Sequence, residues 1–132
     1  MTMKRLVIHT DGVSRGNPGP AAIGAIIKND QGKLVTSISQ SIGHTTNNQA
    51  EYQAIIAALD KALSLGADQV DINSDSELVV RQINGQYRVK KASLRPLYLK
   101  VKQLQSQLAG STIKHVPREQ NSEADRLAND AL

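Results

Sequence analysis

The sequence predicts an α/β fold in which helices cover a five-stranded mixed sheet, with three antiparallel strands followed by a parallel half. The order of the hydrophobic patterns is the first observation behind this prediction. Three strand-like segments come first, and helical and strand-like periods then alternate, giving β-β-β-α-β-α-α-β-α. The second observation is composition. With 132 residues, 39 % of them hydrophobic, and no Cys, Trp or Phe, the core must consist of Ile, Val, Leu and Ala. We expect one domain over residues 1–132.

The antiparallel part is predicted from three apolar, β-rich segments separated by turn residues. The segments are residues 4–11, 21–28 and 34–42. A loop rich in Gly and Pro, GVSRGNPGP, fills residues 12–20. Gly32 lies in the hairpin loop between the second and third strands, where a positive φ is needed. Asp11 is therefore predicted to be the last residue of the first strand.

The second part alternates helices and strands. Helices are predicted over 48–65, 76–84, 94–108 and 122–132, and strands over 69–74 and 112–116. Thr46 and Gln49 have the spacing of a capping box, Gly66 follows the end of the first helix, and Ser93 is the expected N-cap of the third helix. Right-handed crossovers would make the first, fourth and fifth strands parallel neighbours, so that their carboxyl ends meet at one edge.

Charge is unevenly distributed along the chain. The net charge is +4, but residues 81–118 contain nine Lys and Arg residues and no acid. The rest of the chain has seven bases and all 12 acids. This division is typical of a polyanion-binding protein with a separate acidic site. A solvated basic helix face balanced by acids elsewhere explains it as well.

Several functional classes are excluded by missing residues. Without Cys there are no disulfides, no Cys-ligated zinc and no thiolate nucleophile. The scarcity of aromatic residues argues against modules that stack bases. No apolar run approaches the ~20 residues of a membrane span. We therefore expect a soluble, cytoplasmic monomer that needs neither a membrane nor an obligate protein partner.

Four acids fall where the predicted topology can bring them together. Asp11 ends the first strand, Asp75 follows the fourth, Glu51 lies on the apolar stripe of the first helix, and Asp125 is in the first turn of the last helix. Clustered carboxylates need protons or cations to offset their repulsion. Oxygen ligands suit Mg²⁺ or Mn²⁺, and two such ions can activate water against a phosphodiester. Taken singly, each acid is more often an ordinary turn or helix-start residue.

The strings that carry these acids are HTDGVSRGNPGPAAIGAI, TTNNQAEYQAIIAAL, NSDSELVVRQING and HVPREQNSEADRLAN. Together they resemble type 1 ribonuclease H, the endonuclease that cleaves the RNA strand of RNA–DNA hybrids, from Val7 to Ala131. The resemblance implies a ribonuclease H-like fold, products with 5′-phosphate and 3′-hydroxyl ends, and two Mg²⁺ or Mn²⁺ ions per active site with substrate bound. It also implies that the catalytic, metal-binding carboxylates are Asp11, Glu51, Asp75 and Asp125.

The resemblance further implies a set of substrate contacts. The matching positions are Gly12, Ser14, Asn17, Thr46, Asn47 and Asn48. The three Asn residues match minor-groove contacts, and Thr46 matches a position that helps to hold a phosphate of the DNA strand. Asn side chains both donate and accept, as recognition of a ribose 2′-hydroxyl requires. Asn47 and Asn48 can also cap the helix, and the two roles are compatible.

The chain departs from the family pattern in two places. The eight residues PREQNSEA before Asp125 lack the His that many members carry there, and we hypothesise that Arg118 partly replaces it electrostatically. Arg cannot act as a base, and an exposed Arg on a phosphate-binding face is the alternative. The Trp-bearing basic protrusion is also missing. Four bases remain in the short segment as possible contacts to DNA phosphates: Arg88, Lys90, Lys91 and Arg95.

Two other functions are compatible with parts of the sequence. A non-catalytic domain that binds hybrids or duplexes on the same fold is the main alternative, although such a domain gains nothing from four clustered acids facing a polyanion. A nucleotide-binding ATPase-like domain has less support, because the sequence contains no GxxxxGK[ST] motif.

Overall fold

The computed structural model describes residues 3–132. Its elements follow the predicted order: β1 (Arg5–Ser14), β2 (Gly19–Asn29), β3 (Leu34–Thr45), α1 (Asn47–Ser64), β4 (Gln69–Ser74), α2 (Glu77–Ile83), α3 (Arg95–Gln105), β5 (Gly110–His115), a 3₁₀ turn (Arg118–Gln120) and α4 (Ser122–Asp130). Within residues 3–132, no helix combines the length and the apolar character needed to cross a membrane.

The five strands form one mixed sheet in the order β3-β2-β1-β4-β5. β1 pairs with β2, and β2 with β3, in antiparallel fashion, whereas β1–β4 and β4–β5 are parallel. The prediction that the first, fourth and fifth strands are parallel neighbours is confirmed. β1 lies at the centre, where it joins the antiparallel half to the parallel half.

The prediction that Asp11 ends the first strand is wrong. The parallel ladder between β1 and β4 stops at the pair Thr10–Ser74, but β1 continues beside β2 as far as Ser14. The strand is longer than expected because an antiparallel partner supports its last residues after the parallel partner has turned away. The loop that follows is correspondingly short and comprises residues 15–18.

Helices cover both faces of the sheet. On one face α1 and α3 pack over a core of aliphatic side chains with one buried Tyr, which includes Leu6, Ile8, Ile27, Tyr52, Ile55, Leu59, Val70, Ile72, Ile83 and Val101. On the other face α4 crosses β1, β2 and β3. Because side chains alternate along a strand, Ala25 of β2 joins the first core while Gly24 meets α4.

Some of the predicted helix ends and turns agree with the structure, and one does not. The capping box of Thr46 and Gln49 is present, and Gly32 and Gly66 have the expected positive φ of 80° and 79°. The predicted N-cap Ser93 is wrong, because α3 begins at Arg95 with Leu94 as its N-cap. Leu94 is buried in the core, so packing of this side chain, rather than a capping hydrogen bond, sets the start of α3.

Candidate active site

The carboxylates of Asp11, Glu51 and Asp75 lie close together at one end of the sheet. Each offers one oxygen, and these three oxygens all lie within 4.8 Å of one another. They line an open cavity of about 330 Å³, and Asp125 and Arg118 line the same cavity. The structure therefore brings together the four acids that the sequence singled out.

The sheet register places two of these acids side by side. Thr10 and Ser74 form the last pair of the parallel ladder, and Asp11 and Asp75 are the next residue of each strand. Beyond this point the two backbones diverge, because β1 continues along β2 and the chain after β4 turns into α2. The two carboxylates thus leave the sheet at its carboxyl edge, where ligand sites of parallel sheets form.

Glu51 is held in the cluster by a close approach of α1 to β1. Its side chain is buried, and its carboxylate accepts a 2.6 Å hydrogen bond from the backbone N–H of Gly12. A Cβ at Gly12 would overlap the carbonyl of Ala50 and the backbone nitrogen of Glu51. Only glycine therefore permits the contact that sets the position of Glu51.

Asp125 reaches the site through a second close approach. Asp11 is paired with Gly24 across β1 and β2, and a Cβ at Gly24 would overlap the backbone of Ala124 in α4. Gly24 thus lets α4 lie directly on the sheet beside Asp11. Asp125 is half-buried there and accepts a 3.2 Å hydrogen bond from the side-chain amide of Asn129.

Within residues 3–132, no salt bridge reaches the buried acids Asp11 and Glu51. Burial, and then the neighbouring carboxylates beginning with Glu51, raise the pKa of Asp11 to about 9. Burial likewise raises the pKa of Glu51 to about 8, although the Gly12 N–H opposes the shift. Oδ2 of Asp11 is buried and has no hydrogen-bond partner. Oxygen ligands, mutual repulsion and an unpartnered carboxylate oxygen together fit a divalent cation.

The family model described as "Reverse transcriptase-like" matches residues 9–131. A curated protein named Ribonuclease HI, from Halobacterium salinarum, is 42 % identical over 128 residues, which cover 97 % of this chain and 64 % of the relative. A protein named Ribonuclease H, from Rhodopseudomonas palustris, is 33 % identical over 145 residues, which cover 98 % of this chain and 93 % of the relative. The chain belongs to the ribonuclease H family.

Solved ribonuclease H structures share the whole fold. The crystal structure of the Halobacterium salinarum enzyme has a TM-score of 0.94 at 42 % identity and covers 96 % of both chains. The N-terminal RNase H domain of a Mycobacterium tuberculosis protein has a TM-score of 0.93 at 45 % identity, covering 96 % of this chain and 98 % of that one. LC11-RNase H1 in complex with an RNA/DNA hybrid has a TM-score of 0.90 at 41 % identity, covering 96 % and 95 %.

The lengths of the curated relatives differ from that of this chain. The matching Mycobacterium tuberculosis protein is called bifunctional, and the chain covers 35 % of it at 46 % identity over 129 residues. The chain thus spans about a third of that relative and under two thirds of the Halobacterium relative.

Two of the residues that the ribonuclease H resemblance assigns to substrate, Gly12 and Asn47, line the carboxylate cavity. The others lie in or next to the same two segments, the end of β1 and the start of α1. Exposed Asn17 accepts a 2.9 Å hydrogen bond from the backbone N–H of Asn47, which joins the loop after β1 to the start of α1. Ser14 donates to the carbonyls of Gly16 and Thr45, and its distance to the latter is 3.0 Å.

Thr46 caps the start of α1 in this structure. The Thr46 hydroxyl accepts the N–H of Gln49 and lies 2.9 Å from the side-chain oxygen of the same residue. Asn48 is half-buried in the first turn of α1. The cap that the sequence suggested for Asn47 or Asn48 is formed by Thr46 instead, because α1 already begins at Asn47. Contacts of Thr46 and Asn48 to a nucleic acid stay a prediction.

The basic candidates divide into two locations. Arg118 is exposed and lines the carboxylate cavity, and its electrostatic role stays a prediction. The other four are exposed on the segment between α2 and α3 or at the first residue of α3: Arg88, Lys90, Lys91 and Arg95. They do not line this cavity, so contacts from them to a substrate must lie farther along the nucleic acid.

Two residues that build this ribonuclease H site were missed by the sequence analysis. Gly24 had an available signal, because a glycine inside a strand often marks close backbone approach. Asn121 lies between the predicted strand 112–116 and the predicted helix 122–132. It is buried, and its side-chain amide donates a 2.8 Å hydrogen bond to the carbonyl of Thr10. The partner lies 111 residues away in the chain, and no local pattern indicates such a contact.

Proposed function

We propose that this chain is an endoribonuclease that hydrolyses the RNA strand of RNA–DNA hybrids and leaves 5′-phosphate and 3′-hydroxyl ends. The observation that carries the proposal is the convergence of the carboxylates of Asp11, Glu51 and Asp75 within 4.8 Å in a cavity that Asp125 also lines. The solved complex of LC11-RNase H1 with an RNA/DNA hybrid, at 41 % identity, supports the choice of substrate.

In this proposal the four carboxylates hold Mg²⁺ or Mn²⁺, two ions per active site when substrate is bound. Divalent ions supply Lewis acidity for water activation and neutralise charge on the phosphodiester. The protein's contribution is to keep the carboxylates fixed. Asp11 and Asp75 directly follow the last pair of the parallel ladder between β1 and β4, and the Gly12 N–H holds Glu51. Asp11 and Glu51 must lose their protons when they bind a cation, since only the carboxylate is a good ligand.

Recognition of the hybrid would use polar groups around the cavity. The loop after β1 and the start of α1 present Asn17 and Asn47 side by side, and Gly12, Ser14 and Asn48 are nearby along these segments. Amide groups can match the donor and acceptor character of a 2′-hydroxyl. Thr46 is proposed to hold a phosphate of the DNA strand, in addition to its capping role.

The remaining expectations concern the protein as a whole. We propose that residues 1–132 form one ribonuclease H domain that acts as a monomer in the cytoplasm without an obligate protein partner. The alternative function, a domain that binds hybrids without cleaving them, is disfavoured by the buried acids. Four carboxylates facing a polyanion would weaken such binding by repulsion.

The decisive experiment compares cleavage of an RNA–DNA hybrid with and without Mg²⁺ or Mn²⁺. We expect metal-dependent cleavage by the unmodified chain and a loss on the order of 10³-fold in Asp75→Asn, because this change removes an anionic ligand at the reacting phosphate. Asp71→Asn is the matched control. Asp71 lies on β4, the strand that Asp75 follows, but pairs with Arg5 at 2.5 Å, and its removal should leave the rate within about threefold. Binding of the hybrid without any cleavage would favour the alternative.

The role of Arg118 gives a separate prediction. We expect Arg118→Ala to lower kcat on the order of tenfold, because it removes a positive charge beside the phosphate, whereas Arg118→Lys should recover part of the rate. Arg126→Ala, on the exposed face of α4, is the control. An unchanged rate in Arg118→Ala would contradict the hypothesis and leave Arg118 as an ordinary surface residue.

Salt dependence tests the basic segment between α2 and α3. If Lys90 and Lys91 neutralise phosphates, log K for hybrid binding should fall steeply with log salt, and the double Ala variant should lose roughly 0.9 of slope per phosphate contact removed. Lys33→Ala, in the hairpin loop between β2 and β3, should leave the slope unchanged. A wild-type slope near zero would contradict the prediction.

A further inference from the structure

Asn121 is a buried polar residue that the proposed chemistry does not use directly. Its exposure is 1 %, and its side chain is among the largest fully buried ones in residues 3–132. The amide nitrogen donates to the carbonyl of Thr10 at 2.8 Å. The amide oxygen has no hydrogen-bond partner. Burying a half-satisfied amide costs free energy, so a hydrophobic residue of similar size would be expected here if packing alone mattered.

The contacts of Asn121 reach two residues that line the carboxylate cavity, Arg118 and Asp125, and the residue directly before a third, Asp11. Through its side chain it binds the carbonyl of Thr10, the residue directly before Asp11. Through its own carbonyl it accepts the backbone N–H of Asp125 at 3.1 Å. Its backbone N–H donates to the carbonyl of Arg118 at 2.9 Å. A single residue thus joins the end of the parallel ladder, the first turn of α4 and the 3₁₀ turn.

The location explains why such a connection is needed. Asp11 and Asp125 come from elements that are distant in the chain, and sheet hydrogen bonds do not fix the start of α4. The N-cap of α4 is Asn121 itself, and its side chain makes no capping hydrogen bond to the helix. The side-chain amide instead donates to the carbonyl of Thr10 on β1. The start of α4 therefore lacks the stabilisation of a side-chain cap, whereas its position relative to Asp11 is fixed by the bond to Thr10.

We propose that Asn121 is a positioning residue that sets the spacing between Asp11 and Asp125 and thereby the affinity of the site for divalent cations. This inference rests on the proposed function, because it takes the carboxylates to be metal ligands. Asn121 does not line the carboxylate cavity and so makes no contact with substrate there. Groups that orient metal ligands without touching the metal typically change affinity 10- to 100-fold when they are removed.

The test measures Mn²⁺ binding to the free protein by isothermal titration calorimetry, well below the melting temperature, in Asn121→Ala and Asn121→Ser. Ser is an equally good residue at a helix start, but its hydroxyl is one bond shorter than the amide arm and falls short of the Thr10 carbonyl. The Ser variant therefore keeps the test meaningful if the Ala variant does not fold. Asn84→Ala is the control, since Asn84 makes a comparable 2.9 Å amide bond to the carbonyl of Ile113.

We expect the Kd for Mn²⁺ to rise about 10- to 100-fold in both Asn121 variants, with KM for the hybrid within twofold of wild type and kcat reduced at a fixed metal concentration. Asn84→Ala should lose thermal stability but keep its Mn²⁺ affinity within twofold. Unchanged Mn²⁺ affinity in the Asn121 variants, or an equal loss in Asn84→Ala, overturns the inference and leaves Asn121 with a purely structural role. If the wild-type chain itself neither binds Mn²⁺ nor cleaves hybrid, the proposed function is wrong. This result differs from the two that overturn only the role of Asn121, because in both of those the wild type binds Mn²⁺.

Discussion

Asp11→Asn should abolish metal-dependent cleavage and, in the same protein, raise the stability of the metal-free state at neutral and alkaline pH. The two effects have one origin. The carboxylate of Asp11 is needed to bind a cation, but without a cation its charge is unfavourable in a buried cluster. Asn keeps the size and the hydrogen-bonding capacity of the protonated acid and removes the ionisation.

The sign of the pH dependence follows from the raised pKa. In the unfolded chain Asp11 loses its proton near its ordinary pKa of 3.8, whereas in the folded protein it loses it at about 9. Between these values the folded state binds more protons than the unfolded state, so stability falls as pH rises and levels off above pH 9. Glu51, with a pKa of about 8, acts in the same direction.

The measurement is the melting temperature in EDTA between pH 5 and pH 9. We expect the melting temperature of the wild type to decrease over this range and that of Asp11→Asn to decrease less, with a higher value at pH 8. For a domain of this size 1 kcal/mol corresponds to about 4 °C. Mn²⁺ should stabilise the wild type at pH 8 and have little effect on Asp11→Asn. Parallel pH profiles in the two proteins, or retained cleavage by Asp11→Asn, would contradict the assignment.

Asp71→Asn is the control for this experiment, because the pKa of Asp71 is lowered whereas that of Asp11 is raised. Hydrogen bonds from Thr112, Gln69 and Arg5 lower the pKa of Asp71 despite its partial burial. Its contribution to stability therefore has the opposite sign: it is present above the unfolded pKa and is lost on acidification. We expect Asp71→Asn to be destabilised at neutral pH and to cleave hybrid normally.

The order and the pairing of the strands could be predicted because they depend on signals within short segments. Alternating and helical hydrophobic periods identify each element, and the handedness of crossovers then fixes which strands are parallel. The end of β1 could not be predicted in this way. Whether residues 12–14 extend the strand depends on their pairing with β2, and a Gly-rich string is compatible with either a loop or an edge of the sheet.

The same distinction applies to the candidate site. The positions of the acids at strand ends and helix starts predicted that they converge, and the structure brings them together. The sequence did not indicate how deeply Asp11 and Glu51 are buried. Nor did it indicate that Asn121 connects the end of β1 to α4. Both features arise from contacts between segments that are distant in the chain.

Gly12→Ala is expected to have the largest effect on stability of any single change at the site. A methyl group at this position would overlap backbone atoms of Ala50 and Glu51, and backbone cannot move aside as a side chain can. To relieve the overlap α1 must shift away from β1, which breaks the hydrogen bond between the Gly12 N–H and Glu51. Overpacking of this kind costs about 3 kcal/mol, and the shift also removes Glu51 from the carboxylate cluster.

Gly32→Ala is the matched control for loss of a glycine without a steric overlap. Gly32 has a φ of 80°, and a Cβ at this position would point into open space. The substitution should therefore cost only the roughly 1–2 kcal/mol of a left-handed conformation and leave cleavage unchanged. In Gly12→Ala we expect a lower melting temperature, weaker Mn²⁺ binding and loss of cleavage at temperatures where the protein is still folded. Near-normal Mn²⁺ affinity in folded Gly12→Ala would show that the contact between α1 and β1 does not set the position of Glu51. If Gly12→Ala loses both metal affinity and cleavage and Gly32→Ala loses neither, the geometry of the acidic cluster depends on Gly12, where the backbone leaves no room for a side chain.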